Sequence, residues 1–147
     1  MTIRIVQLGT RRAQGEGVRI GTVRRPPRGV PRARFASEDW YDVWYPTLAP
    51  SAELVKFARQ ATDAKAWVEF ARRYRSEMRQ GEAAHGLDLL AALSHGAHFS
   101  VGCYCDDESR CHRSLLRELL SERGADLAAV PAMKQRKPVA GKRGERR

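Results

Sequence analysis

The sequence predicts an α/β fold: a single small domain whose helices pack on a short, mostly parallel central sheet, followed by a disordered basic C-terminal tail. Three observations carry this. Short β-rich runs alternate with stretches of helical periodicity. Of 147 residues, 42% are hydrophobic, enough for one core and too many for a disordered chain or a disulfide-stapled mini-protein. The last residues, KQRKPVAGKRGERR, lack apolar periodicity and cannot bury enough surface to offset their ordering entropy. The domain is predicted over residues 1–131 and the tail over 132–147.

The elements follow in order. Ile3, Ile5, Val6 and Leu8 make a first strand, Gly9 to Gly17 a polar turn, and Val18 to Val23 a second strand. RRPPRGVPRAR then forbids regular structure through its prolines and glycine. Trp40, Tyr41, Trp44 and Tyr45 read as a loop or short element folded onto the core. Ser51 is an N-cap for a helix carrying Leu54, Val55, Ala58 and Ala61. A second helix starts near Asp63, with Trp67, Phe70, Ala71, Tyr74 and Met78 on its buried face and Gly81 at its end. Leu87 to Leu93 is a shorter third helix. Phe99 to Cys105 is a buried strand, in which Gly102 permits a close approach. A fourth helix runs from Cys111 or His112 to a stop at Gly124, and Ala128 to Val130 is a last short strand.

Charge is concentrated at the ends. The net charge is +10, yet residues 35–133 hold eleven basic and fifteen acidic side chains. Residues 1–34 hold nine Arg against one Glu, and 134–147 hold seven Lys or Arg against one Glu. The tail therefore reads first as solubilising and second as a weak nucleic-acid-binding arm. No apolar run is long enough to span a bilayer, which predicts no membrane partner, and the N-terminus lacks a signal-peptide pattern. Three cysteines within nine positions are no disulfide framework and predict reduced thiols in a cytoplasmic protein.

Those cysteines lie in the densest chemical constellation, Cys103-Tyr-Cys105-Asp-Asp-Glu-Ser-Arg-Cys111-His112-Arg113. It falls where a strand gives way to a helix N-terminus, which offers free N–H groups and partial positive charge to a thiolate or a bound anion. One reading is an anion site with thiol chemistry. Cys111 and His112 are the candidate catalytic nucleophile and acid or base, with Arg113, Cys103, Cys105 and Arg24 as ligand-binding residues. Cys111 is expected to be the most reactive thiol and Cys103 the least. The spacing does not fit a phosphatase loop, which separates Cys and Arg by five residues. Here Cys105 and Arg110 are four apart and Cys103 and Arg110 six, counting the residues between. A second reading is zinc, with His95 and His98 as further donors, although C-x-C-x5-C-H is not a common zinc spacing. A third is that the cysteines simply pack. Arg24 closes strand two and would enter the same cleft if the two strands are parallel neighbours, with Arg25 and Arg28 facing solvent.

Residues 17–124 resemble the bacterial domain of unknown function numbered 488, including its YeaO-like branch. The likeness is carried by GVRIGTVRRPPRGV, WYPTLAPSAEL, WVEFARRYRSEM and FSVGCYCDDESRCHRSLL. The last is similar to the family's Cys-x7-Cys-His-Arg pattern, with Cys103, Cys111, His112 and Arg113 at the matching positions and Cys105 outside it. Val23 stands where the YeaO-like branch typically has an Asp. The resemblance implies an α/β fold and this choice of residues, without a reaction or a cofactor. Since the pattern leaves only three metal ligands, no metal is expected. The leading expectation is a pocket for a small phosphate- or nucleotide-like anion. The alternatives are a non-catalytic nucleic-acid-binding protein and a structural zinc domain.

Overall fold

A computed structural model describes residues 1–60 and 62–130. The predicted tail at 132–147, and Ala61 of the first helix's apolar stripe, lie outside the described residues. Four strands, β1 (Ile3–Gln7), β2 (Val18–Gly21), β3 (Val43–Trp44) and β4 (Phe99–Cys103), form one sheet in the order β1-β4-β2-β3. Every pairing is parallel. Parallel strands end at the same edge, so the chain leaves β1, β2 and β4 side by side at Leu8, Thr22 and Tyr104. Ligands of open α/β sheets bind at that carboxyl edge.

Four helices, α1 (Ala52–Gln60), α2 (Ala64–Met78), α3 (Gly81–Leu93) and α4 (His112–Glu122), cover one face of the sheet. The alternation of a strand explains which face. Ile3, Ile5, Ile20, Phe99 and Val101 point to the helices and meet Leu54, Phe70, Tyr74, Leu87, Leu116 and Leu120. The aromatic stripe of α2 is core, with Trp67 stacked on Phe70 and Phe70 on Tyr74. The predicted caps are present: the Ser51 hydroxyl accepts from the Leu54 N–H, and the Asp63 carboxylate from that of Ala66.

The opposite face, which carries Arg19, Gly21, Ser100 and Gly102, is covered by loops. Arg19 is 1% exposed and fully engaged. Its guanidinium pairs with buried Glu16 and donates to the Thr10 and Asp39 carbonyls. Arg12 reaches Asp39 and Asp42, and the Asp42 carboxylate accepts the Arg19 N–H. This network fastens segment 8–17 and segment 36–42 to the sheet. Gly17 permits the entry into β2: its φ is +78°, and a Cβ there would lie 1.9 Å from the His98 carbonyl oxygen.

Four sequence expectations change. The third helix begins at Gly81 rather than Leu87 and runs through Gly86, where Tyr45 occupies the space a side chain would need. Gly81 thus opens α3 instead of ending α2, whose last residue is Met78. β4 ends at Cys103, not Cys105, since the neighbouring strands stop beside it. The predicted strand at Ala128 to Val130 shrinks to an isolated bridge between Ile3 and Leu127. Only two ladder bonds form there, from Ile3 N–H to the Asp126 carbonyl and from Ala128 N–H to that of Ile3. Among the described residues no helix is long and apolar enough to cross a membrane.

Candidate functional site

The cysteine cluster sits at the carboxyl edge of the sheet, and Gly102 sets its position. β4 lies so close to β1 that a Cβ on Gly102 would fall 2.4 Å from the Val6 carbonyl oxygen, so only glycine fits. The next residue, Cys103, turns its side chain into a second apolar cluster with Leu8, Val23, Tyr41 and Cys111. After Cys103 the chain makes a short 3-10 turn at Glu108–Arg110 and returns to the edge. Cys111 is the N-cap of α4 in extended conformation, and its side chain makes no capping bond. The returning chain places Cys111, His112 and Arg113 against the end of β4.

His112 is buried and fixed. Its Nε2 lies 2.8 Å from the Thr22 carbonyl, at the end of β2. A carbonyl only accepts, so Nε2 carries the proton and Nδ1 keeps a free lone pair. That lone pair faces the Cys111 Sγ at 3.7 Å. The Tyr74 ring packs on the imidazole at 5.5 Å between centroids. Burial pushes the His112 pKa down to about 4, against the opposing effect of the Thr22 bond, and the ring is neutral at pH 7.

Cys103 and Cys111 are each 2% exposed, while Cys105 is exposed. The Cys103 and Cys111 thiols pull the Cys105 pKa below the ordinary thiol value, helped by the nearby Arg113 charge and opposed by partial burial. The neighbouring thiols, with burial, push Cys103 up. For Cys111 the Cys103 thiol pulls down, but the Cys105 thiol and burial outweigh it and raise the pKa to about 11.

Arg113 places a permanent cation beside the thiols. It is 3% exposed, its Nη2 donates to the Cys105 carbonyl, and its Nε has no hydrogen-bond partner among the described residues. Burial opposes its charge, yet the thiols of Cys103 and Cys111 keep the guanidinium pKa raised. The acidic run beside it is occupied locally. Asp106 accepts from Gln7, Asp107 from Ser109, and Glu108 pairs with Arg117.

Arg24 is at the same edge, since β2 and β4 are parallel neighbours. Its guanidinium donates to the carbonyls of Pro46, Ala49 and Pro50, so it holds that loop in place. Arg25 and Arg28 are exposed, as expected. His95 and His98 precede β4 and lie at its amino end, away from the thiols, where His95 meets Asp126. The donors that could hold a metal are instead Cys103, Cys111 and His112, whose ligand atoms all lie within 4.8 Å of one another. Sequence reasoning missed Thr22, because a backbone carbonyl has no residue code. It also missed the Glu16–Arg19 pair, where an arginine inside a β-rich run was the available signal.

Two surface depressions lie elsewhere. One of about 260 Å³ is lined by Ser51, Leu54, Arg73 and Glu77. The other, about 390 Å³, is lined by Trp67, Arg75, Leu115 and Glu118. No curated protein and no solved structure matches the chain. Residues 3–124, spanning all four strands and the thiol cluster, match the family described as the active DUF488-N3 subclade. The chain therefore belongs to the family of domain of unknown function 488.

Proposed function

We propose that the protein binds a small phosphate- or nucleotide-like anion at the carboxyl edge of the sheet and engages it with a thiol of the cysteine cluster. The observation that carries this reading is Arg113. A guanidinium that is 3% exposed and whose Nε has no partner among the described residues retains a donor for a ligand beside the first turn of α4. The uncapped N–H groups of that turn add partial positive charge. Cys105 is the thiol at the surface of the cluster, with Cys111 and His112 behind it. In this reading Arg24 shapes the edge by holding the 46–50 loop.

Calorimetric titration with inorganic phosphate and with a nucleoside monophosphate tests the proposal. Binding should survive deletion of residues 134–147 and drop at least tenfold in Arg113→Ala. Binding that is unchanged in Arg113→Ala, or absent for both probes, overturns it.

A second reading is a nucleic-acid-binding protein that uses its basic ends. Arg25, Arg28 and Arg32 support it, being exposed and without a salt bridge among the described residues. DNA binding of that kind falls steeply with salt and weakens when residues 134–147 are removed.

A further inference from the structure

We propose that Cys103, Cys111 and His112 form a three-ligand site for a zinc-class divalent ion, with a fourth coordination position turned toward Cys105 and solvent. This goes beyond the anion reading, since the three donors would hold a metal whether or not an anion binds.

Around tetrahedral zinc, with Zn–S near 2.3 Å and Zn–N near 2.0 Å, two sulfurs lie about 3.8 Å apart and a sulfur and a nitrogen about 3.5 Å. The Cys111 Sγ and His112 Nδ1 are already 3.7 Å apart. All three donor atoms lie within 4.8 Å of one another, so closing on a metal takes shifts of about an ångström or less.

The imidazole is set for this role. Its Nε2–H is tied to the Thr22 carbonyl, the kind of bond that fixes tautomer and ring orientation of a metal-binding histidine. Nδ1 faces the sulfurs as an unprotonated donor. Each anchor also comes from a different structural constraint. Cys103 is placed by the tight β1–β4 approach at Gly102, Cys111 by the N-cap geometry, and His112 by the end of β2.

Donor chemistry selects the ion. Two thiolates and one imidazole favour zinc over magnesium or calcium, which take oxygen ligands. Two thiolates balance a divalent ion, and the Arg113 guanidinium adds one positive charge beside the fourth position. That position is then suited to water or an anion, as in zinc sites with three protein ligands.

The test uses the full chain, stripped with a chelator under reducing conditions and titrated with Co²⁺ as a spectroscopic probe. The expected result is one equivalent per chain. It should bring a thiolate-to-cobalt charge-transfer band and the intense visible bands of tetrahedral cobalt, both displaced by Zn²⁺. Cys105→Ser should keep one equivalent. Cys103→Ser and Cys111→Ser should weaken Zn²⁺ binding at least 100-fold. His112→Gln removes the Nδ1 donor while its amide still donates to the Thr22 carbonyl, so it should stay folded by circular dichroism and lose the tetrahedral spectrum. Failure to bind stoichiometrically, an octahedral cobalt spectrum, or a tetrahedral spectrum that persists in His112→Gln and Cys111→Ser overturns the proposal. Phosphate binding measured on the same metal-free protein reports on the anion reading separately.

Discussion

The His112 imidazole donates its Nε2–H to the Thr22 carbonyl at 2.8 Å, joining the start of α4 to the end of β2 across ninety residues of chain. One bond sets the tautomer, aims Nδ1 at the Cys111 sulfur, and buries a titratable ring in neutral form. A pH dependence follows. Folding holds the His112 pKa near 4, below its unfolded value of about 6.5. The stability this ring contributes as a neutral group is complete above about pH 6.5. It is lost as pH falls toward 4, because the unfolded chain takes up the proton first. The loss is on the order of 3 kcal/mol. Urea unfolding of metal-free protein at pH 7 and about pH 4.5 should show His112→Gln losing at least 1 kcal/mol less than the wild type. Parallel losses would mean that the ring is not buried neutral.

Exposure orders the thiols differently from their positions in the sequence. Cys105 should react first with iodoacetamide in native, metal-free protein, and Cys103 and Cys111 at least tenfold more slowly until the chain is unfolded. Peptide mapping at short times reads the order. Alkylation of Cys111 as fast as that of Cys105 would show that the edge opens more widely than the structure has it.

The buried ion pair on the loop-covered face should be costly to break. Glu16→Gln leaves the Arg19 guanidinium in a dry site without its counter-charge, with a destabilisation of about 3 kcal/mol. A shift in the urea midpoint with an unchanged slope measures it. A midpoint within error of the wild type would show that the guanidinium finds water or another acceptor.

Gly17→Ala should destabilise by more than about 2 kcal/mol, through a left-handed φ and a clash with the His98 carbonyl. Gly15→Ala shares the positive φ but has open space around its Cβ. The difference in melting temperature between the two variants isolates the clash, and equal values would remove it.

Much of the architecture was legible in local sequence. Alternation in IRIVQ, the stripe Trp67-Phe70-Tyr74-Met78, and the caps Ser51 and Asp63 depend on nearest neighbours along the chain, and these elements formed where periodicity put them. The site was legible as a segment, because thiols, His112 and Arg113 crowd one strand-to-helix corner. Tertiary structure decided the rest. Strand order, and so the meeting of β2 and β4 at one edge, depends on pairings between residues about eighty positions apart. Which thiol is exposed depended on where β4 ran out of partners, leaving Cys103 inside and Cys105 beyond the sheet. Arg24 faced the 46–50 loop because three carbonyls there needed donors. The sequence alone determined which chemical groups arrive at the corner. Long-range pairing and burial decided which of them are neutral, which are reachable, and which point at one another, since desolvation and hydrogen-bond partners exist only once the chain has folded.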